Sequence, residues 1–175
     1  MLEKISDEVF YLRGDMRLLK GGMVRFLQQQ AESNPRQRCR ICIHESPDAP
    51  IHEMFIAHGR NVFVPPHAHM SRSETFTVLS GLATVFLLDS EGNYLNTIPM
   101  GDISTGRSLS VHIPAGQWHT QDFESDMVIF HEVTSGPFLP QDTKTLWDMN
   151  DDKQKTHPKN FLNGLRHAAR QRERL

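Results

Sequence analysis

The chain has only two cysteines, Cys39 and Cys42, in 175 residues. Their C-x-x-C spacing invites a redox or zinc reading, but no second pair is present to complete a thiolate zinc site. The segment around them, RQRCRICIHE, alternates like a strand. Residues three apart on a strand point to opposite faces, which suits neither a disulfide nor a shared ion, so buried thiols are expected. Long apolar runs are missing too, and the opening MLEKISDEVF is charged. No membrane span or signal peptide is therefore expected, and the expected address is cytoplasmic. A strong charge of either sign is also absent, the formal net charge being −2 with histidines neutral. That balance, with no helix-turn-helix pattern and no strongly basic domain, excludes nucleic acid and anionic membranes as general partners. No internal repeat or low-complexity tract is found.

What is present reads as one globular domain with a real core: 38% hydrophobic and 23% charged residues. Residues 1–35 form an N-terminal extension. It holds an extended stretch, EVFYL, then a helix over MVRFLQQQAESNP that stops at Asn34-Pro35, because a residue before proline avoids helical geometry. Between residues 36 and 138 short runs rich in Val, Ile, Phe and Thr recur, divided by Gly, Pro, Asp and Ser. RICIHE, HEMFIAH, NVFVP, ETFTVLSG, LATVFLLD and MVIFHEVT are examples, and DSEGNY has hairpin-turn chemistry. This pattern predicts an all-β protein, an antiparallel barrel or jelly roll. Residues 139–175 are a polar loop and then an amphipathic helix in which Phe161, Leu162, Leu165, Ala168 and Ala169 oppose Arg166, Arg170 and Arg174. It is expected to lie on its own domain or on a second subunit.

Chemistry-bearing residues gather around PPHAHMSRSETFTVLSG. His67 and His69, two apart on a strand, project from one face. Glu74 has the wrong parity for that face unless the polar MSRS between them turns or bulges. Farther on, VHIPAGQWHT offers a Pro-x-Gly turn that would deliver His119 from a distant strand. Three neutral imidazoles and one carboxylate make a mixed nitrogen and oxygen shell for one divalent transition metal such as Zn, Fe, Mn or Ni. Four protein ligands on an octahedral ion leave two positions for water or substrate.

The spacing H-x-H, four residues, E, six residues, G, then P-x-G-x-x-H resembles the two motifs of the cupins, small antiparallel β-barrels with a metal in the barrel mouth. His67, His69, Glu74 and Gly81 match the first motif, and Pro114, Gly116 and His119 the second. Gly59 stands two residues too far upstream. Ser108 replaces the leading glycine of the second motif, and Phe123 replaces its terminal asparagine. These departures touch turns and leave the four ligands in place. From about Ser33 to Trp147, the stretches NPRQRCRICIH, HEMFIA, PHAHMSRSETFTVLSG, WHT and VIFHEVTSGPF also resemble, in the same order, the WbuC family of cupin-fold metalloproteins. That likeness implies the fold, the metal and an association with O-antigen and other surface-polysaccharide gene clusters. After GPF the resemblance weakens, because TLWDM stands where the family tends to have Ala-Pro-Trp.

Other residues complete the expected site. Arg36, Arg38 and Arg40 alternate along one strand face, with His44 beyond them. They serve either as a substrate subsite for carboxylates or phosphates, or as an ion-paired edge or dimer contact. Only one of the adjacent residues His131 and Glu132 can face a cavity, and whichever does is a candidate acid/base or a partner of a metal-bound histidine. His52 and His58 are read as structural. The expected function is a metal-dependent cupin acting on a small polar molecule, a sugar or nucleotide sugar of O-antigen lipopolysaccharide synthesis, by isomerisation or epimerisation. A ferrous dioxygenase and a non-enzymatic metal-dependent sensor are the alternatives. The expected partners are a small-molecule ligand and a second copy in a homodimer, with EVFYL free to extend a neighbour's sheet. A purely structural site ranks last, since structural zinc favours cysteine-rich shells.

Overall fold

The computed structural model describes residues 1–146 and 158–172. Twelve strands form two sheets. The strands are β1 (Leu2–Lys4), β2 (Val9–Leu12), β3 (Arg38–Cys42), β4 (Ile51–Gly59), β5 (His67–His69), β6 (Glu74–Ser80), β7 (Leu82–Leu88), β8 (Tyr94–Gly101), β9 (Ser110–Ile113), β10 (Trp118–Phe123), β11 (Met127–Ser135) and β12 (Thr143–Thr145). The larger sheet runs β1-β2-β3-β4-β11-β6-β9 and the smaller β12-β5-β10-β7-β8. Every pairing is antiparallel except β2 with β3. The two sheets face one another, as an all-β sandwich of alternating strands requires.

Their inner faces supply the central core. Phe76 and Val78 of β6, Val128 and Phe130 of β11, Val85 of β7 and Phe123 of β10 are all essentially buried. Helix α1 (Gly21–Ser33) covers the outer face of the larger sheet, seating Leu27 and Ala31 on Cys39, Ile41, Ala57 and Ile129. It ends at Asn34, whose side-chain oxygen accepts the Arg36 amide at 2.8 Å. Helix α2 (Pro158–Arg172) covers the smaller sheet with Leu162, Leu165 and Ala169 against Phe86 and Leu88. Arg166, expected on the solvent side of that helix, instead forks onto buried Asp122 with two contacts of 2.7 Å. Arg174 lies outside the described residues.

The helix on its outer face explains why β10, which reads as polar (WHTQDF), is buried almost throughout. Its odd-numbered residues face the other sheet, and its even-numbered ones face the layer that α2 completes. EVFYL is taken up as β2 beside the chain's own β3, and β12 joins the smaller sheet, so the sheets draw strands from both sides of residues 36–138. NVFVP is not a strand: residues 61–66 run as an irregular link into β5. Cys39 faces α1 and Cys42 the central core, both free and buried, as opposite parity requires. Among the described residues no helix is long and apolar enough to cross a membrane.

Leu27 is wholly buried between α1 and its sheet. Leu27→Ala should therefore lower the unfolding free energy by about 2–5 kcal/mol, read from urea denaturation, through lost burial and the cavity left behind.

Candidate metal centre and cavity

The parity conflict at Glu74 disappears because the chain changes sheets. β5 belongs to the smaller sheet and β6 to the larger, so residues 70–73 form a corner between two facing layers. Inward on β5 and inward on β6 are then opposed directions that meet. His119 arrives on β10 directly opposite His67 in the antiparallel register. The Pro-x-Gly turn that leads to it is tied to the first motif, since the Gly116 amide donates to the His69 carbonyl at 2.8 Å. Gly116 has φ 78°, a left-handed conformation that side-chain-bearing residues rarely adopt. Gly81 closes the tight turn from β6 to β7 at φ 92°, where a Cβ would come within 2.8 Å of the Met127 carbonyl.

His67, Glu74 and His119 offer ligand atoms that all lie within 4.8 Å of one another. The Nδ1 of His67 is 2.9 Å from the Pro65 carbonyl, and that of His119 is 2.9 Å from the Gln117 carbonyl. A carbonyl only accepts, so each Nδ1 carries a proton, and in the neutral ring each Nε2 keeps a lone pair for an ion. His119 Nε2 lies 2.8 Å from Glu74 Oε1 at side-chain exposures of only 1% and 4%. The two atoms are nevertheless misaligned for a hydrogen bond, and neither has another partner. Buried polar atoms are rarely left this way, because each unmet one costs about 1–3 kcal/mol. A divalent cation would satisfy both at once, so this donor set fits one.

His69 stands slightly apart from that group. Its Nε2 is 3.1 Å from Glu74 Oε2, but its Nδ1 faces the Thr143 hydroxyl at 3.0 Å and Arg72 Nη2 at 3.2 Å. The guanidinium only donates, so in this arrangement Nδ1 accepts and the ring proton sits on Nε2, toward Glu74. Ligation by His69 would require Thr143 to accept an Nδ1 proton instead. Arg72 in turn pairs with Asp142 at 3.3 Å, and Asp142 also accepts the Ser71 amide at 2.7 Å. Thr143 and Asp142 lay in a stretch that looked irregular in sequence, and nothing in their spacing marked them. Only the pairing of β12 with β5 brings them to the histidines.

A cavity of about 420 Å³ opens beside these groups, lined by His67 and His69 from the smaller sheet and by Glu74, Arg38, Arg40 and Glu132 from the larger one. A side lobe of about 160 Å³ shares Arg40, His69 and Glu132 with it and extends to His44. His44 thus lines the lobe, stacked on His52 with ring centroids 4.2 Å apart and 3.5 Å from the Tyr11 hydroxyl. The arginine row is shorter than its spacing suggests. β3 begins at Arg38, Gln37 has φ 51°, and this kink removes Arg36 from the inward face. Arg36 is largely exposed and does not line the cavity, although it pairs with Glu8 at its edge.

Position 132, and not 131, faces inward. Glu132 shares its parity with the buried core residues Val128 and Phe130. His131 lies on the outer face of the sheet, its ring stacked on Phe55 at 4.6 Å, and so is not an acid/base of this cavity. Burial, and then the charge of Glu74, push the Glu132 carboxyl up to about 8, although cavity solvent still reaches the side chain. For Glu74 burial pushes the same way, but contacts with His119 and His69 overrule it and hold the carboxyl well below its usual range. Burial, reinforced by His119, lowers His67 to about 4, so its ring is neutral at physiological pH. Two carboxylates driven apart in this way divide into an ionised one and one able to carry a proton.

A similar arrangement of strands occurs in known structures. CapF, the capsular polysaccharide assembling protein of Staphylococcus aureus, superposes with a TM-score of 0.54 at 18% identity, over 66% of this chain and 33% of that one. The chain has a cupin fold. It spans only a third of CapF's length. Protein SO0799 of Shewanella oneidensis (TM-score 0.48, 13% identity, 59% of this chain and 66% of that one) and an oxalate oxidase in complex with the substrate analogue glycolate (0.47, 19%, 65% and 57%) are further cupin-like neighbours. The family described as Domain of unknown function (DUF6016) matches residues 19–100. No curated protein matches the chain.

Because the folded-state affinity of Glu132 for its proton is raised above the ordinary 4.5, folding favours the protonated form. That contribution is full below about 4.5 and is lost as pH rises toward about 8. Metal-free wild type should therefore lose stability across this window relative to Glu132→Gln, as followed by thermal melting of both proteins at stepped pH.

Proposed function

We propose that this chain is a metal-dependent cupin that acts on a small polar molecule, with His67, Glu74 and His119 holding a divalent transition ion and His69 available as a fourth ligand. The observation that carries this reading is the buried pair Glu74 Oε1 and His119 Nε2, 2.8 Å apart and without a hydrogen bond. When bound, such an ion supplies a Lewis acid that polarises a carbonyl or hydroxyl oxygen. The chain's own residues do the rest. The backbone carbonyls of Pro65 and Gln117 hold two imidazoles in the ligating tautomer, and Glu74 adds negative charge to the shell. Glu132 lines the same cavity as His69 and can give or take a proton at a ligand carbon or oxygen.

The reaction this best supports is isomerisation or epimerisation, in which a proton leaves a carbon beside a polarised oxygen and returns to the neighbouring carbon, or to the same carbon from its other face. A sugar or nucleotide sugar of surface-polysaccharide synthesis is the substrate class suggested by the WbuC resemblance. CapF, whose name records capsular polysaccharide assembly, has the same fold and is compatible with that class.

Elemental analysis of protein purified without added metal should find a stoichiometric divalent ion. His67→Ala and His119→Ala should abolish loading. His69→Ala should keep a site weakened by roughly 10- to 100-fold, the scale of losing a group that orients a ligand. Solvent deuterium should enter a candidate sugar with wild type and far more slowly with Glu132→Gln. Failure of well-folded wild type to hold any divalent ion overturns the reading, and oxygen consumption in place of exchange would redirect it to a dioxygenase.

A further inference from the structure

The cavity's charges do not balance, and the imbalance is local. Arg38 pairs with Glu8 at 2.7 Å, a carboxylate it shares with the exposed Arg36. Arg72 is matched by Asp142 at 3.3 Å. Arg40 has the inward parity of Arg38 and Cys42 on β3, yet it remains exposed, which a side chain facing inward achieves only by lining open space. Among the described residues it makes no side-chain ion pair or hydrogen bond. Glu132 lies on the same wall without pairing with it. The guanidinium sits where the main cavity and the side lobe share a wall, together with His69, whose Nε2 touches Glu74. One planar, doubly donating cation without an ion-pair partner thus lines the same cavity as His67 and Glu74 of the metal-capable group.

We infer that the ligand is a small hydroxy- or keto-acid, its carboxylate received by Arg40 and its hydroxyl or carbonyl oxygen directed to the His67, Glu74 and His119 group. The inference rests on the metal-dependent reading above and narrows its substrate class. A carboxylate matches the guanidinium fork with two parallel hydrogen bonds. Arg40 presents one fork, which a single carboxylate fills. A volume near 420 Å³ lies at the small end of ligand cavities, which also favours a compact acid. Free sugar acids belong to this class and reconcile it with surface-polysaccharide chemistry.

Titration calorimetry on the metal-loaded protein tests this with glycerate and glucuronate. The uncharged counterparts glycerol and glucose, inorganic phosphate and UDP-glucose are run beside them. At least one of the two acids should bind, and more tightly than its uncharged counterpart. Arg40→Ala should weaken that acid roughly 10- to 100-fold, the worth of a charge-assisted fork, with Arg40→Lys between the two and metal content unchanged. Glucose binding as well as glucuronate, acid binding that ignores Arg40→Ala, or preference for phosphate or UDP-glucose would overturn the inference. Elemental analysis of the same samples separates the two claims. Loaded protein that takes neither acid defeats this inference alone, while wild type without any ion defeats the metal reading beneath it.

Discussion

The centre depends on one constraint: the chain leaves the smaller sheet after His69 and enters the larger one at Glu74. Four residues make that crossing, and they convert a sequential neighbour into a spatial opposite. Everything polar at the centre follows from it. The carboxylate can meet the imidazoles only because the sheets face each other, and the β10–β5 register places His119 opposite His67. Hydrophobic packing between the layers therefore does more than stabilise the fold. Phe76 and Phe130, packed behind the site, fix the spacing at which opposed ligands come into reach.

Burial then sets the chemistry. A carboxylate this deep would ordinarily take a proton, yet Glu74 stays ionised because two imidazoles face it, whereas Glu132 on the neighbouring strand has no such company and keeps its proton to about 8. The difference arises from who stands beside each oxygen and not from depth alone. One cavity thereby holds an ionised carboxylate among imidazoles and a second carboxyl that keeps its proton.

Much of this was legible in the chain itself. Alternating strands, the turn glycines and the two histidine motifs are local patterns, and local patterns survive in a linear sequence. The change of sheet at Glu74 was not, since parity counting assumes a strand that continues. Nor was the fate of the arginine row: Arg36 belongs to it by spacing, but a left-handed residue at Gln37 ends the alternation one step early. The choice between His131 and Glu132 stayed open because both faces of β11 carry apolar residues, one covered by the opposite sheet and the other lying on the outside. Arg166 was misplaced for the same reason, since a buried aspartate on a distant strand leaves no mark on a helical wheel.

Thr143 reaches His69 from 74 positions further along the chain, through the strand that completes the smaller sheet. The two histidine motifs alone therefore do not specify the centre. A relative could keep both motifs letter for letter and, by trading that late strand for another, preserve the cage while changing which nitrogen of one ring carries the proton. Chemistry within this architecture can thus diverge through its tail, where comparisons of motifs would never look.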